Sequence, residues 1–203
     1  MRDSINSYPS LLLSAPRKFQ QIANNLIPRN TGIEIECLQG PNFDIKYFQK
    51  IKLEELYIAE EEHKFQIHAG IKGMNEIFKV CECLKEYSLF TDSGIHYHIN
   101  TGPHFKMLRE MKDTKWDCED YNCFSWVLKE LEAWNYKGAY NSKRIGNEKK
   151  SWVYFHQYYS TAEFRIGEMS FDYELIIKRI LHCHSIVKRM IRQGLEPKQQ
   201  KKD

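Results

Sequence analysis

Apolar runs in this chain are short. None approaches the roughly 18 residues that a membrane-spanning helix requires, so no membrane class is expected. The apolar cluster nearest the start, LLLSAP, is too short and too weakly flanked to read as a secretory signal. Cysteines occur without the spacing of a zinc ribbon or finger: Cys81 and Cys83 form C-x-C, Cys118 and Cys123 form C-x4-C, and Cys37 and Cys183 stand apart. Six cysteines without a secretory segment read as reduced, buried thiols of a cytoplasmic protein, with a structural zinc as the lesser alternative. Charge of one sign is also lacking. Thirty basic against 27 acidic residues leave a net +3, which gives no argument for nucleic acid. A phosphate loop of the G-x-x-x-x-G-K-[ST] type is absent, and so is any internal repeat.

What is present fits one globular domain. The chain has 203 residues, 42% of them hydrophobic and 28% charged, enough for one good core and too few for two comfortable domains. Residues 1–29, with Pro9, Pro16 and Pro28, read as a lead-in segment, 30–193 as the core, and 194–203, with Lys198, Lys201 and Lys202, as a basic flexible tail. Alternation of apolar and polar residues predicts strands at 32–38, in HKFQIHAG, into which the ambiguous ELYIAEEE runs, and in IHYHIN, while aromatic and β-branched content predicts two more in WVYFHQYYS and AEFRIGEM. Helical spacing predicts a helix opening at Asn75 with Ile77, Val80, Cys81, Leu84 and Tyr87 on one stripe. A second is predicted over 116–136 on Phe124, Val127, Leu128, Leu131 and Trp134. A third carries Ile176, Ile180, Cys183, Val187 and Met190, with Ser170 or Asp172 as cap and Gly194 and Pro197 as its stop. The basic stretch 138–150 reads as a loop. One-sided alternation favours an antiparallel sheet with helices packed on one face, hence α+β. The strand in 151–159 reads as a sheet edge through which a homo-oligomer could pair.

Three of these strands share a habit. Glu34 and Glu36, His96 and His98, and Glu163 and Arg165 each stand at i, i+2, so each pair faces one side of its strand about 7 Å apart. A solvated face explains any one pair. The composition is less ordinary, because Lys and Thr, the usual occupants of a wet sheet face, are replaced by oxygen and nitrogen ligands for a divalent cation. Two neighbouring carboxylates repel, and a cation removes that cost. An arginine beside them offers a planar fork for phosphate. Together these are the means to hold a polyphosphate by metal and basic side chains. Other groups have simpler readings. His182 and His184 diverge by about 200° around a helix and cannot share a metal. The aromatics of WVYFHQYY could stack bases, but sheet core is the simpler reading of Trp152 and Phe155.

TGIEIE, SGIHYHIN and AEFRIG followed by SFDYELIIKRILHCHSIV resemble, in order and rough spacing, the signature segments of the amidoligase family, across about residues 30–190. That family belongs with the carboxylate-amine ligases related to glutamine synthetase and glutamate-cysteine ligase. The resemblance implies a glutamine synthetase-like catalytic domain, a curved antiparallel sheet whose concave face binds ATP with Mg²⁺ or Mn²⁺. It implies formation of an amide or peptide-like bond between small-molecule or peptide carboxylate and amine substrates, through an acyl phosphate. Glu34, Glu36, His98 and Glu163 would ligate metal. His96 would join a metal or meet the nucleotide phosphates, and Arg165 would bind the γ-phosphate or the acyl phosphate. Lys150 and Arg144, with Lys143 and Lys149, would reach the phosphates or remain solvated loop residues. The family often carries an acid on the strand where this chain has Gln66 and His68, and a cysteine where Ser93 stands. Members are often phage-encoded, which would place the protein in a host cytoplasm. The alternative left open is a non-catalytic member of the fold acting as a phage structural or binding protein.

Overall fold

The computed structural model describes residues 17, 31–38, 56–61, 64–70, 78, 81, 94–111, 124–134, 142–146, 151–168, 170 and 172–196, with backbone alone for 35–38, 56–61, 64–70, 142 and 168. Among the described residues seven strands form one sheet. They are β1 (Thr31–Leu38), β2 (Leu56–Glu61), β3 (Lys64–Gly70), β4 (Gly94–Asn100), β5 (Ser142–Gly146), β6 (Ser151–His156) and β7 (Thr161–Glu168), in the order β2-β3-β1-β4-β7-β6-β5. With three described helices, α1 (Phe105–Met111), α2 (Ser125–Glu132) and α3 (Tyr173–Leu195), the architecture is α+β.

The sheet is mixed, which corrects the expectation of a wholly antiparallel one: β5 runs parallel to β6, and the other neighbours are antiparallel. Parallel neighbours ordinarily need a long crossover. Here Ser142 is level with Ser151 and Gly146 with Tyr154, so the chain need only step back about 10 Å to begin β6, a distance that residues 147–150 can span. The expected loop at 138–150 therefore contains a strand. SKRIG hides it, because Ile145 is its only large apolar side chain. β6 lies between β5 and β7 and is not an edge, so pairing of 151–159 with a neighbouring molecule is also corrected.

The core follows from register. Ile145, Val153, Phe164, Tyr97 and Ile33 occupy one transverse row across five strands, and all five are buried. Against this face α3 lays Ile176, Ile180, Cys183, Val187 and Met190, all buried, and α2 adds Val127 and Leu131. Both cap candidates of α3 act in series. The Asp172 side chain accepts from the Glu174 and Leu175 amides, and Ser170 Oγ accepts from the Asp172 amide. Gly194 does not stop the helix, which runs to Leu195; Met107 and Met111 of α1 close on it instead. The stop is Glu196, extended at ψ 128°, the backbone that the residue before a proline prefers.

α1 and the 3-10 turn before it (Gly102–His104) were not expected from the sequence. Seven residues make a poor helix alone, and α1 is held by buried Leu108 and its methionines against α3. Of the predicted helix at 75–87, Phe78 and Cys81 are described and helical. Of that at 116–136, residues 116–123 lie outside the described residues. No described helix is long and apolar enough to cross a membrane.

Candidate functional site

The three strands that share the i, i+2 habit are neighbours in the sheet, β1-β4-β7. Register puts Glu34 opposite His96, Gly32 opposite His98 and His98 opposite Glu163. Alternation then sends Glu34, His96, His98 and Glu163 to the face away from Ile33, Tyr97 and Phe164. Gly32 carries no side chain, so Glu34 meets His98 diagonally.

His98 Nε2 lies 3.4 Å from Glu34 Oε2 and 4.0 Å from Glu163 Oε1. One ligand atom from each residue falls within 4.8 Å of the others. These separations exceed the ~2.7–3.2 Å of a good hydrogen bond. They approach the spacing of neighbouring ligands on a divalent ion, about 3–3.5 Å when metal–ligand bonds are near 2.1 Å. One imidazole and two carboxylates, drawn from three strands, therefore fit such an ion. The other ring nitrogen, His98 Nδ1, faces Thr161 Oγ1 at 3.4 Å, which leaves Nε2 toward the carboxylates.

His96 is wholly buried, with Nδ1 3.5 Å from Glu34 Oε1 and 3.4 Å from Glu163 Oε1. It lies between the two carboxylates rather than at a surface a nucleotide would reach. Glu163 is 1% exposed, and a carboxylate so buried needs a partner. Arg165 Nη1 donates to its Oε1. A β-bulge begins at this arginine: between the rungs Tyr97–Phe164 and Ile95–Gly167, β7 has one residue more than β4. The bulge brings Gly167 against β4 so closely that a Cβ there would lie 2.3 Å from the Ile95 carbonyl oxygen.

The other expected site residues are placed differently. Glu36 holds the register position opposite Gln66, as Glu34 does opposite His68, but its side chain lies outside the described residues. Lys150 and Lys149 also lie outside them. Arg144 is exposed on the edge strand β5, two strands from β7, and Lys143 on the same strand pairs with Glu132 of α2. His182 and His184 are separate, as expected. His182 Nδ1 accepts from Trp134 Nε1 at 2.9 Å, whereas His184 Nε2 meets Thr31 Oγ1 at 2.6 Å. Burial, aided by Lys188, pulls His184 down to about 4. Cys81 and Cys183 are buried free thiols, and burial pushes Cys183 well up.

Residues around His98 were missed. The His156 and Tyr159 rings lie 6.2 and 6.5 Å from it, and Tyr154 is in register with Glu163. The signal was available, because Tyr154 and His156 stand at i, i+2 on β6 while Phe155 between them goes to the core. Among known proteins, no family model, no curated sequence and no solved structure matches the chain.

Proposed function

We propose that this chain is an ATP-dependent carboxylate-amine ligase with a glutamine synthetase-like catalytic sheet, using Mg²⁺ or Mn²⁺ and joining a small-molecule or peptide carboxylate to an amine. The observation that carries this reading is the meeting of Glu34, His98 and Glu163, with Arg165 beside them, on one sheet face. The three segments that resemble the amidoligase signatures fall on the three adjacent strands, β1, β4 and β7, that supply them.

Glu34, His98 and Glu163 would hold the cation, and His96 beneath would keep the two carboxylates apart and oriented. A divalent cation there supplies concentrated positive charge for phosphate oxygens during transfer. Arg165 is placed to add a guanidinium to the same anion, at the cost of loosening its bond to Glu163. Its role would be to stabilise charge as the substrate carboxylate takes the γ-phosphoryl group and, later, as the amine displaces phosphate.

Calorimetric titration of ATP, with and without Mg²⁺, tests this on the parent, Glu163→Gln and Arg165→Ala. The parent should bind in a Mg²⁺-dependent manner, and each variant should bind at least about tenfold more weakly, one ordinary charge-assisted contact. A folded parent without metal-dependent nucleotide binding would sink the proposal. The register of Gln66 opposite Glu36 favours a second reading, a non-catalytic binding protein of the same fold. Under it the nucleotide binds, but pooled amino acids and amines elicit no ADP release.

A further inference from the structure

Among the described residues, the exposed large apolar side chains are Tyr158, Tyr159 and Leu195, at 85%, 58% and 60%. Leu195 ends α3. The two tyrosines are adjacent, in the turn joining β6 to β7, and that turn lies beside the candidate cation site. Tyr159 packs on His156 at 4.5 Å with the rings 33° apart, and Tyr158 meets Tyr159 edge-to-face at 4.9 Å. His156 and Tyr159 both reach His98. A continuous path of rings thus runs from a candidate metal ligand out to solvent.

The turn is held in place. Ser160 adopts φ 52°, a left-handed conformation that is strained for a residue other than glycine. Its carbonyl accepts from the Thr101 amide at 3.1 Å and from Thr101 Oγ1 at 2.9 Å, so the turn is tied to the end of β4. Exposed tyrosines on an anchored turn lose little entropy when a ring packs on them, because few torsions remain to be frozen.

We infer that this aromatic turn is a base-stacking platform, on which a nucleobase stacks on Tyr159, with the perpendicular ring of Tyr158 against its edge, while its phosphates reach the cation site by His98. The inference rests on the proposed nucleotide reading and adds to it the means of holding the base. The Tyr159 ring lies 6.5 Å from that of His98, so a base stacked on it stands beside the cation site, with its ribose and phosphates to bridge the two. Stacking uses the π-face that every base has, and it discriminates by ring area rather than by hydrogen-bonding edge. The platform is therefore tolerant of base identity. ATP and GTP should bind alike, CTP more weakly, and tripolyphosphate, which has no ring, most weakly.

The test is calorimetric titration of Mg²⁺-ATP, Mg²⁺-GTP, Mg²⁺-CTP and Mg²⁺-tripolyphosphate on the parent, Tyr159→Ala, Tyr158→Ala and Tyr159→Phe. Tyr159→Ala should weaken both purine nucleotides by roughly tenfold, one stacked base, and leave tripolyphosphate within about twofold. Tyr158→Ala should act in the same direction, and Tyr159→Phe should keep parental affinity. Equal losses for ATP and tripolyphosphate in Tyr159→Ala, or no loss for ATP, overturn the platform and leave the phosphate-binding reading intact. A parent that prefers ATP over GTP by more than about tenfold overturns base tolerance. A parent that binds neither ATP nor tripolyphosphate removes this inference together with the proposed function.

Discussion

Gly167 and Gly194 are alike as letters and differ in what surrounds them. A Cβ at Gly167 would strike the Ile95 carbonyl oxygen at 2.3 Å and the Tyr97 ring at 2.8 Å, and neither can retreat, because one is ladder backbone and the other is packed core. A Cβ at Gly194 would meet Met107 Cε at 2.6 Å and Met111 Sδ at 2.7 Å, the far ends of flexible side chains. Urea unfolding should therefore separate the two substitutions. Gly167→Ala is expected to cost roughly 3 kcal/mol or more, and Gly194→Ala to stay within about 1 kcal/mol because alanine's helix propensity offsets the crowding. Similar losses at both positions would refute this account of the bulge. The sequence does not distinguish the two glycines. Gly194 followed by Pro197 is an ordinary stop signal, and its packing role depends on Met107 and Met111 of α1, which lie far earlier in the chain.

At the scale of the element, α3 was the most legible part of the chain because its signals are local: two cap candidates, a stripe at helical spacing, and a proline beyond the end. α1 and β5 were illegible for the opposite reason. FKMLREM and SKRIG take their structure from what they pack on, and short segments carry too little periodicity to announce it. α3 also carries a pH dependence. His184, half-buried and hydrogen-bonded to Thr31, has its pKa lowered to about 4 from the ordinary 6.5 by that partial burial, with Lys188 adding to it. Above pH 6.5 the ring is neutral in folded and unfolded chains alike. Between 6.5 and 4 the unfolded chain binds a proton that the folded one resists, so stability falls as pH falls through that window. His184→Gln keeps an acceptor for the Thr31 hydroxyl and has no proton to gain. The urea midpoint of the parent should drop between pH 7 and pH 5, and that of the variant should drop less. Parallel curves would show that His184 does not carry the effect.

For the molecule as a whole, the candidate ligands lie on different strands in the middle of the sheet, one each from β1, β4 and β7. An ion held there would tie together the pairings most remote from the edges, and its release would accompany global unfolding rather than local fraying. Added Mn²⁺ or Mg²⁺ at a hundred times the dissociation constant should then stabilise the fold by about 2.7 kcal/mol, a rise in melting temperature of roughly 5–10 °C for a chain of this size. Glu163→Gln should show little of this rise. An equal rise in the variant would place the ion elsewhere. The site was readable in outline because alternation is a local rule: Glu34, His96, His98, Glu163 and Arg165 could each be assigned a strand face from their neighbours. That the three faces are one face depended on strand order, which no single segment encodes. The aromatic turn was half legible: the rings of WVYFHQYY could stack a base, but sheet core accounts for Trp152 and Phe155, and Tyr158 and Tyr159 stand apart from them only once their exposure is known.

The bulge in β7 has one further consequence. Between two rungs of the ladder β4 advances two residues and β7 advances three, so the strand changes parity partway along its length. Up to Phe164, even-numbered residues face the helices; at the next rung it is Gly167, an odd number, that turns to them. Arg165 stands at the changeover. The strand's polar side thus ends at the ion pair with Glu163, and the residues that follow are counted in a different phase from those that build the site.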